Sequence, residues 1–246
     1  FCVLFLTILS LHTVVKGADC EGSSVPCDVW SEESSCDFTV PLPLGSLPPG
    51  TEPCIVRAIY KIRRCGDEVE VQILRYEYID PVRPECRTAF NHQIQNNGTH
   101  WQKQVWFHSN LAIMKKEFMS FYTQLPQNLR SAFECPNGVK RFYAYQAGCM
   151  KHCAYMDAQN QVMVLIPKKC FGGKCCKMVS EICYNSTTQS IQSTETIVEI
   201  SVGTLCVDDT VDGACPLTYS KSSTTGGTQT LNLDTSLNFP CFSNCE

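Results

Sequence analysis

The sequence predicts an α+β to mainly β protein, with antiparallel sheet, one clear helix at about 110–125 and a stapling framework of disulfides. Two runs that alternate between apolar and polar residues flank the turn at 65–67, where Cys-Gly-Asp stands. One later stretch has apolar residues at helical spacing, and the 246 residues include 18 cysteines. A period of two is typical of a half-buried strand, and a period of 3.6 is typical of a helix. These three observations carry the fold prediction.

The N-terminal residues predict export from the cell. Residues 1–15 are almost wholly apolar, but a membrane-spanning helix takes about 20 residues. The run has the character of the apolar region of a secretory signal peptide, with cleavage expected after Gly17. We therefore expect a secreted or cell-surface protein with residues 1–17 as its signal peptide and no membrane span.

Cysteine content predicts a disulfide framework, because exported thiols meet an oxidising environment. Loss of Cys2 with the signal peptide leaves 17 of the 18 cysteines. Since 17 is odd, one of them remains free or bonds to another chain. The disulfide candidates are Cys20, Cys27, Cys36, Cys54, Cys65, Cys86, Cys135, Cys149, Cys153, Cys170, Cys175, Cys176, Cys183, Cys206, Cys215, Cys241 and Cys245.

Composition shifts divide the remaining chain into three predicted segments. Residues 18–53 form an irregular, acidic segment rich in cysteine and proline. Residues 54–169 form a domain of a β-hairpin, the helix and a second β-hairpin. Residues 170–246 form a cysteine-rich β module.

The strands and the helix follow from periodicity. Alternation over 56–63 and 69–73 predicts a hairpin, and its phase shifts at Leu74, which predicts a β-bulge. The apolar spacing over 111–125 predicts the helix, with Ser109 or Asn110 as its N-cap and Pro126 at its end. Further strands are expected at 140–146 and 161–167 on either side of a loop, and at 174–184 and about 187–204 as a pair. Gly226-Gly227 predicts a turn in the tail.

Cofactor and metal signals are weak. The cysteine spacings include no C-x-x-C pair, which disfavours a zinc site and a thioredoxin-like redox site. Asp208, Thr210 and Asp212 place oxygen ligands at alternate positions before a glycine, as a calcium loop does. However, Tyr219 stands where an EF-hand loop needs a glutamate, and a tight acidic turn explains the same residues. We expect no cofactor, with these three residues as the calcium candidates.

Catalytic motifs are not found in the sequence. It contains neither the G-x-S-x-G nor the H-E-x-x-H pattern. Glu68 and Glu70 share one side of a predicted strand, and we expect both to face solvent. The sequence therefore favours a protein that is not an enzyme, and a secreted hydrolase with an unrecognised site remains the third reading.

Aromatic residues before the predicted helix suggest a binding surface. Trp101, Trp106 and His108 stand among amide side chains, and exposed tryptophans with amide neighbours suit carbohydrate ligands. The alternative is that the tryptophans pack a loop onto the core. Asn97 and Asn185 begin glycosylation sequons, which matter only where the source glycosylates such sites.

The C-terminal third contains a pattern of closely spaced cysteines. It runs from Cys170 through Cys175-Cys176-Lys177 and Cys183 to the closing Cys241-x₃-Cys245. In this order the residues 170–246 resemble cysteine-rich modules of secreted and cell-surface proteins of Bacteroidota bacteria. The resemblance implies an exported surface role and no particular activity.

Charge also varies along the chain. Residues 91–184 contain eleven basic and four acidic residues, whereas 185–246 contain seven acidic residues and one lysine. Opposed charge blocks favour contact between copies, although solvated faces of different charge explain them equally well. The overall excess of 24 acidic over 20 basic residues disfavours nucleic acid as a partner.

Together these patterns predict a disulfide-rich structural or adhesive protein of the cell surface or of an extracellular assembly. Its partners would be itself or other extracellular proteins. The alternative is a monomeric extracellular binding module, with carbohydrate as the candidate ligand.

Overall fold

A computed structural model describes residues 26–42, 53–78, 84–146, 149–156, 163–170, 175–199, 214–223 and 227–243. Ten strands form one mixed sheet, and a long helix packs on one of its faces. The predicted fold class is therefore confirmed. The elements are β1 (Ser34–Thr39), β2 (Ile55–Cys65), β3 (Glu68–Tyr78), α1 (Pro84–Gln124), α2 (Gln127–Arg130), β4 (Lys140–Gln146), β5 (Met150–Met156), β6 (Met163–Lys169), β7 (Cys176–Asn185), β8 (Ser190–Glu199), β9 (Thr218–Ser223) and β10 (Gly227–Asn238).

The sheet divides into two arms at β3. One edge of β3 pairs along its length with β2, which in turn pairs with β1. The other edge pairs first with β4, in parallel, and further along with β6. One arm continues from β4 through β7 to β8, and the other continues from β6 through β5 and β10 to β9. Among the described strands, β1, β8 and β9 therefore form the edges.

The predicted hairpin and its bulge are both confirmed. Cys65 pairs with Glu68 across the turn, where Gly66 has a φ of 62°, a conformation that glycine adopts without steric cost. Ile59 pairs with Arg75 and the next residue, Tyr60, pairs with Ile73. Leu74 is thus the extra residue of the bulge, as the phase shift in the sequence predicts.

The helix is much longer than the sequence predicts. It begins at Pro84, whose fixed φ suits a first helical position, and it ends at Gln124, two residues before Pro126. Asn97 interrupts it with non-helical angles (φ −138°, ψ 36°), so α1 consists of two segments joined at a kink. Ser109 and Asn110 are not N-caps. They are buried on the inner face of α1, and both donate side-chain hydrogen bonds to the carbonyl of Trp106.

Later strands agree with the sequence except at one place. The predicted strand 140–146 is β4, and the predicted pair beyond residue 174 is β7 and β8. The segment between the predicted strands 140–146 and 161–167 is not simply a loop, because it contains β5. Strands β7 and β10 pair with β4 and β5. The predicted boundary at residue 170 is therefore not a boundary of the sheet.

Disulfides tie the strands to the segments beside them. Five bridges join described cysteines, and Cys149, Cys175 and Cys176 are also disulfide-bonded. Two of the five bridges, Cys135–Cys183 and Cys153–Cys215, cross the predicted boundary at residue 170. Cys36 was a disulfide candidate but is the free cysteine of the described residues, whereas Cys20, Cys206 and Cys245 lie outside them. The five bridges are Cys27–Cys65, Cys54–Cys86, Cys135–Cys183, Cys153–Cys215 and Cys170–Cys241.

Glu70 corrects the expectation of a solvent-facing carboxylate. Its side chain is only 2% exposed and accepts a hydrogen bond of 2.6 Å from Nε of Arg63. The Arg63 guanidinium lies 4.5 Å from the ring centre of Trp30, a cation–π contact. The Cys27–Cys65 disulfide lies beside the Glu70 carboxylate. These contacts fasten the segment before β1 to the outer face of the sheet.

We expect Arg63→Met to destabilise the protein by about 2–4 kcal/mol, because it leaves the buried Glu70 carboxylate without its cationic partner. Glu70→Gln removes the charge but keeps hydrogen-bonding capacity, so its cost should be smaller, about 1 kcal/mol. Urea unfolding of both variants and of the double variant measures the coupling. A larger cost for Glu70→Gln than for Arg63→Met would contradict this account.

Candidate functional site

The tryptophans of the predicted binding surface lie in the core. Trp101 is 2% exposed and Trp106 is 6% exposed, and both belong to α1 and not to a preceding loop. The Trp101 ring packs against Tyr78, Phe90 and Phe239 at centroid distances of 6.0–6.2 Å. Neither ring presents a free face, so the structure corrects the exposed-tryptophan hypothesis in favour of its core alternative.

His108 lies next to this core on α1 and is half-buried. Its Nε2 lies 3.0 Å from Oε1 of Gln104, one helical turn earlier. Burial lowers the pKa of His108 below its ordinary value. The imidazole of His108 is therefore already hydrogen-bonded within its own helix. The structure does not bring it together with the two tryptophans at an exposed surface.

The two sequon asparagines occupy different environments. Asn97 is exposed at the kink of α1. Oδ1 of Asn185 accepts hydrogen bonds from the backbone N–H groups of Thr187 and Thr188, at 3.0 and 3.1 Å. Asn185 therefore stabilises the turn between β7 and β8, as asparagine commonly does at turns.

The calcium candidates Asp208, Thr210 and Asp212 lie outside the described residues. Within the described residues, two groups of ligand-type atoms lie close together: the sulfurs of Cys149, Cys170 and Cys241, and the sulfurs of Cys27 and Cys65 with a Glu70 oxygen. All five cysteines are disulfide-bonded. A cysteine binds a metal as a thiolate, so these disulfide sulfurs do not have the chemistry of a metal centre while the bridges are intact.

A buried polar cluster, which we call the Gln102 cluster, was missed in the sequence. It consists of Gln102 on α1, His152 on β5 and the carbonyl of Pro240. Nε2 of Gln102 donates to the Pro240 carbonyl at 3.0 Å. Its Oε1 lies 2.9 Å from the backbone N and 3.0 Å from Nδ1 of His152. Gln102 is fully buried and His152 is 3% exposed.

Geometry assigns the protons of the Gln102 cluster. A carbonyl only accepts hydrogen bonds, so the amide NH₂ of Gln102 must face Pro240 and its oxygen must face His152. Nδ1 of His152 then carries the proton. Aromatic rings of Tyr76, Phe239 and Phe242 surround the imidazole at centroid distances of 5.4–6.0 Å. Burial lowers the pKa of His152 to about 3, and the neutral ring joins the helix to β5 and the C-terminal segment.

Acid is expected to destabilise the protein through His152. The folded-state pKa of about 3 is below the ordinary value of 6.5, so between these values the unfolded state binds more protons. Stability should therefore fall as the pH drops below about 6.5, by about 1.4 kcal/mol per pH unit, or about 2–3 kcal/mol by pH 4.5. Urea unfolding at pH 7 and pH 4.5 measures this loss.

A variant isolates the His152 contribution from those of other acids and bases. His152→Asn retains a donor for Oε1 of Gln102 but does not titrate, so its loss of stability on acidification should be smaller by about 2–3 kcal/mol. His108→Asn is the matched control at a half-exposed histidine and should reduce the loss much less. Equal acid sensitivity in the wild type and in His152→Asn would show that His152 is not the sensitive group.

The free thiol of Cys36 is enclosed between β1, β2 and α1. It is 8% exposed, and burial raises the pKa of the thiol, while Lys116 acts in the opposite direction. Close by, the Tyr60 hydroxyl donates to Glu117, and Lys116 donates to the carbonyl of Ser35 on β1. A buried thiol with a raised pKa is a poor nucleophile, so Cys36 is not placed to bond to another chain.

The outer edge of β8 is the most open hydrogen-bonding surface among the described strands. β8 pairs with β7 along all ten of its residues, and no described strand pairs with its other edge. Thr194 and Thr196 are exposed, as are Ile197 (44%) and Val198 (39%) near its C-terminal end. Unpaired backbone N–H and C=O groups along such an edge form a template for another strand.

The fold defines the class of this protein as a mostly sheet, disulfide-stapled protein with one long helix. Comparisons with protein-family models, with curated proteins and with solved structures found no match. In the described part of the chain, no helix combines the length and the apolar character that crossing a membrane requires. A disulfide-rich fold is consistent with an extracellular protein.

Proposed function

We propose that this chain is an extracellular structural or adhesive protein that works by assembling with other copies of itself or with other surface proteins. The observation that carries the proposal is the ten-stranded sheet stapled by disulfides, with the long edge of β8 open for contact. Cross-links that restrict the unfolded state are useful to a protein that must persist outside the cell. The resemblance of residues 170–246 to cysteine-rich surface modules supports the same reading.

Assembly in this proposal is non-covalent. The odd cysteine count suggested a disulfide between chains, but the free thiol in the described part of the chain is the buried Cys36. We therefore expect contacts between surfaces, and not a bridge through Cys36, to hold the copies together. The glycan-binding alternative loses its main support, since Trp101 and Trp106 are buried in the core.

The experiment is sedimentation of the purified secreted protein from about 1 to 200 μM, a range that detects micromolar association. Intact mass, with free thiols alkylated beforehand, is measured on the same sample with and without reduction. We expect concentration-dependent association and no disulfide between chains. A protein that stays monomeric over the whole range, and that binds no surface component of its source, would contradict the proposal.

A further inference from the structure

We propose that two copies of this chain associate through β8, which pairs antiparallel with β8 of the second copy about a two-fold axis at Thr194. The inference rests on the proposed function and names its partner and its surface. The resulting sheet would run continuously through both copies. Such edge-to-edge pairing is a common mode of recognition by strands.

Comparison of the three edges singles out β8. β1 and β9 have six residues each, whereas β8 has ten. Lys116 of α1 donates to the Ser35 carbonyl of β1, and the sequence of β9 contains Lys221. Short strands and lysines are the usual protections of a sheet edge against pairing. β8 contains no lysine, arginine or proline, so it lacks these protections.

The sequence of β8 is self-complementary in the proposed register. With Thr194 of each copy on the axis, Ile197 lies opposite Ile191 of the second copy, and this contact occurs twice. The exposed Ile197 side chain would thus gain an apolar neighbour. Threonine pairs and aliphatic pairs are both favourable across antiparallel strands. In this register even-numbered residues lie opposite even-numbered residues, and odd-numbered residues lie opposite odd-numbered ones. The N–H and C=O groups that point away from β7 belong to alternate residues, so those of the two copies face each other and form about eight to ten hydrogen bonds.

Charge favours the register with Thr194 on the axis over the register with Glu195 on the axis. With Glu195 on the axis, two carboxylates would lie directly opposite each other, which is unfavourable. With Thr194 on the axis, each Glu195 lies opposite Ser193 of the second copy. A serine opposite each carboxylate avoids the repulsion between like charges.

The first test removes the apolar contact. Ile197→Lys should weaken self-association about tenfold or more, because it replaces two aliphatic pairs and adds two charges. Leu129→Lys is the matched control, since Leu129 on α2 is 48% exposed, close to the 44% of Ile197. It should associate like the wild type. Sedimentation measures both, and thermal unfolding checks that both remain folded.

The second test addresses the register. Thr194→Lys and Thr194→Glu each place like charges on the axis, so each variant alone should associate about fivefold more weakly. An equimolar mixture pairs lysine with glutamate and should restore association to the wild-type level or better. Protection of β8 amides from hydrogen exchange should increase with protein concentration in the wild type and in the mixture, and much less in either Thr194 variant by itself.

The outcomes separate this proposal from the proposed function. A wild-type protein that assembles, with Ile197→Lys assembling equally well, overturns pairing through β8 and leaves the structural role standing. Failure of the Thr194 mixture to restore association overturns the two-fold register. A wild type that does not self-associate under any condition overturns pairing through β8, and if it also binds no surface component of its source, the proposed function fails with it.

Discussion

Trp101→Ala is expected to lower the free energy of unfolding by about 3–5 kcal/mol, the usual cost of deleting a large aromatic side chain from a core. The ring is 2% exposed and lies among Tyr78, Phe90 and Phe239. Its loss would leave a cavity between α1, β3 and the residue that follows β10. Urea unfolding followed by circular dichroism measures the effect.

Two further variants separate packing from recognition. Nε1 of Trp101 is buried without a hydrogen-bond partner among the described residues, so Trp101→Phe loses little polar bonding and should cost less than about 2 kcal/mol. Trp30→Ala, at a half-buried ring in contact with Arg63, should cost about 1 kcal/mol. A Trp101→Ala variant of wild-type stability that had lost binding to a glycan would revive the carbohydrate reading.

Removal of the Cys170–Cys241 disulfide is the second change expected to have a large effect. The bridge joins residues 71 positions apart, and closing a loop of that length in the unfolded chain is worth about 4 kcal/mol in the chain-entropy model. It also connects the end of β6 to the segment beyond β10. We therefore expect the Cys170→Ala, Cys241→Ala double variant to unfold at a much lower urea concentration than the wild type.

Cys36→Ala is the matched control for this experiment, because it removes a buried cysteine that forms no bridge. Its cost should be limited to lost packing, about 1 kcal/mol. The same variant should lose the thiol that becomes alkylated when the wild-type protein is unfolded. Equal destabilisation by the single and the double variant would contradict the bridge assignment or its contribution.

Local patterns in the sequence were sufficient to predict the strands that have one apolar and one polar face. The hairpin of β2 and β3, its bulge at Leu74 and the pair of β7 and β8 alternate because one side of each strand faces solvent. Glu70 is an exception. It lies on the face of β3 that alternation assigns to solvent, but Arg63 and the neighbouring disulfide cover it. Packing between distant segments overrides alternation there.

The part of α1 before residue 110 was not predicted, because the inner face of the helix is partly polar. Gln93, Gln102, Ser109 and Asn110 are buried at helical spacing among the apolar residues, so the apolar periodicity is interrupted. Asparagine and glycine at 96–98 have low helix propensity, and the helix indeed kinks at Asn97. β5 was not predicted as a strand because it is buried on both faces, so its sequence does not alternate between apolar and polar residues.

The sequence by itself determined the fold class, the disulfide-rich character and most of the strands, because periodicity and cysteine count are local or compositional properties. Only the tertiary structure decided that Trp101 and Trp106 are core residues, that Cys36 is free and that Gln102 bonds His152. Each of these depends on which distant segments meet in the folded chain. β8 likewise forms an edge of the described sheet only because no other described strand pairs beyond it, which no local pattern encodes.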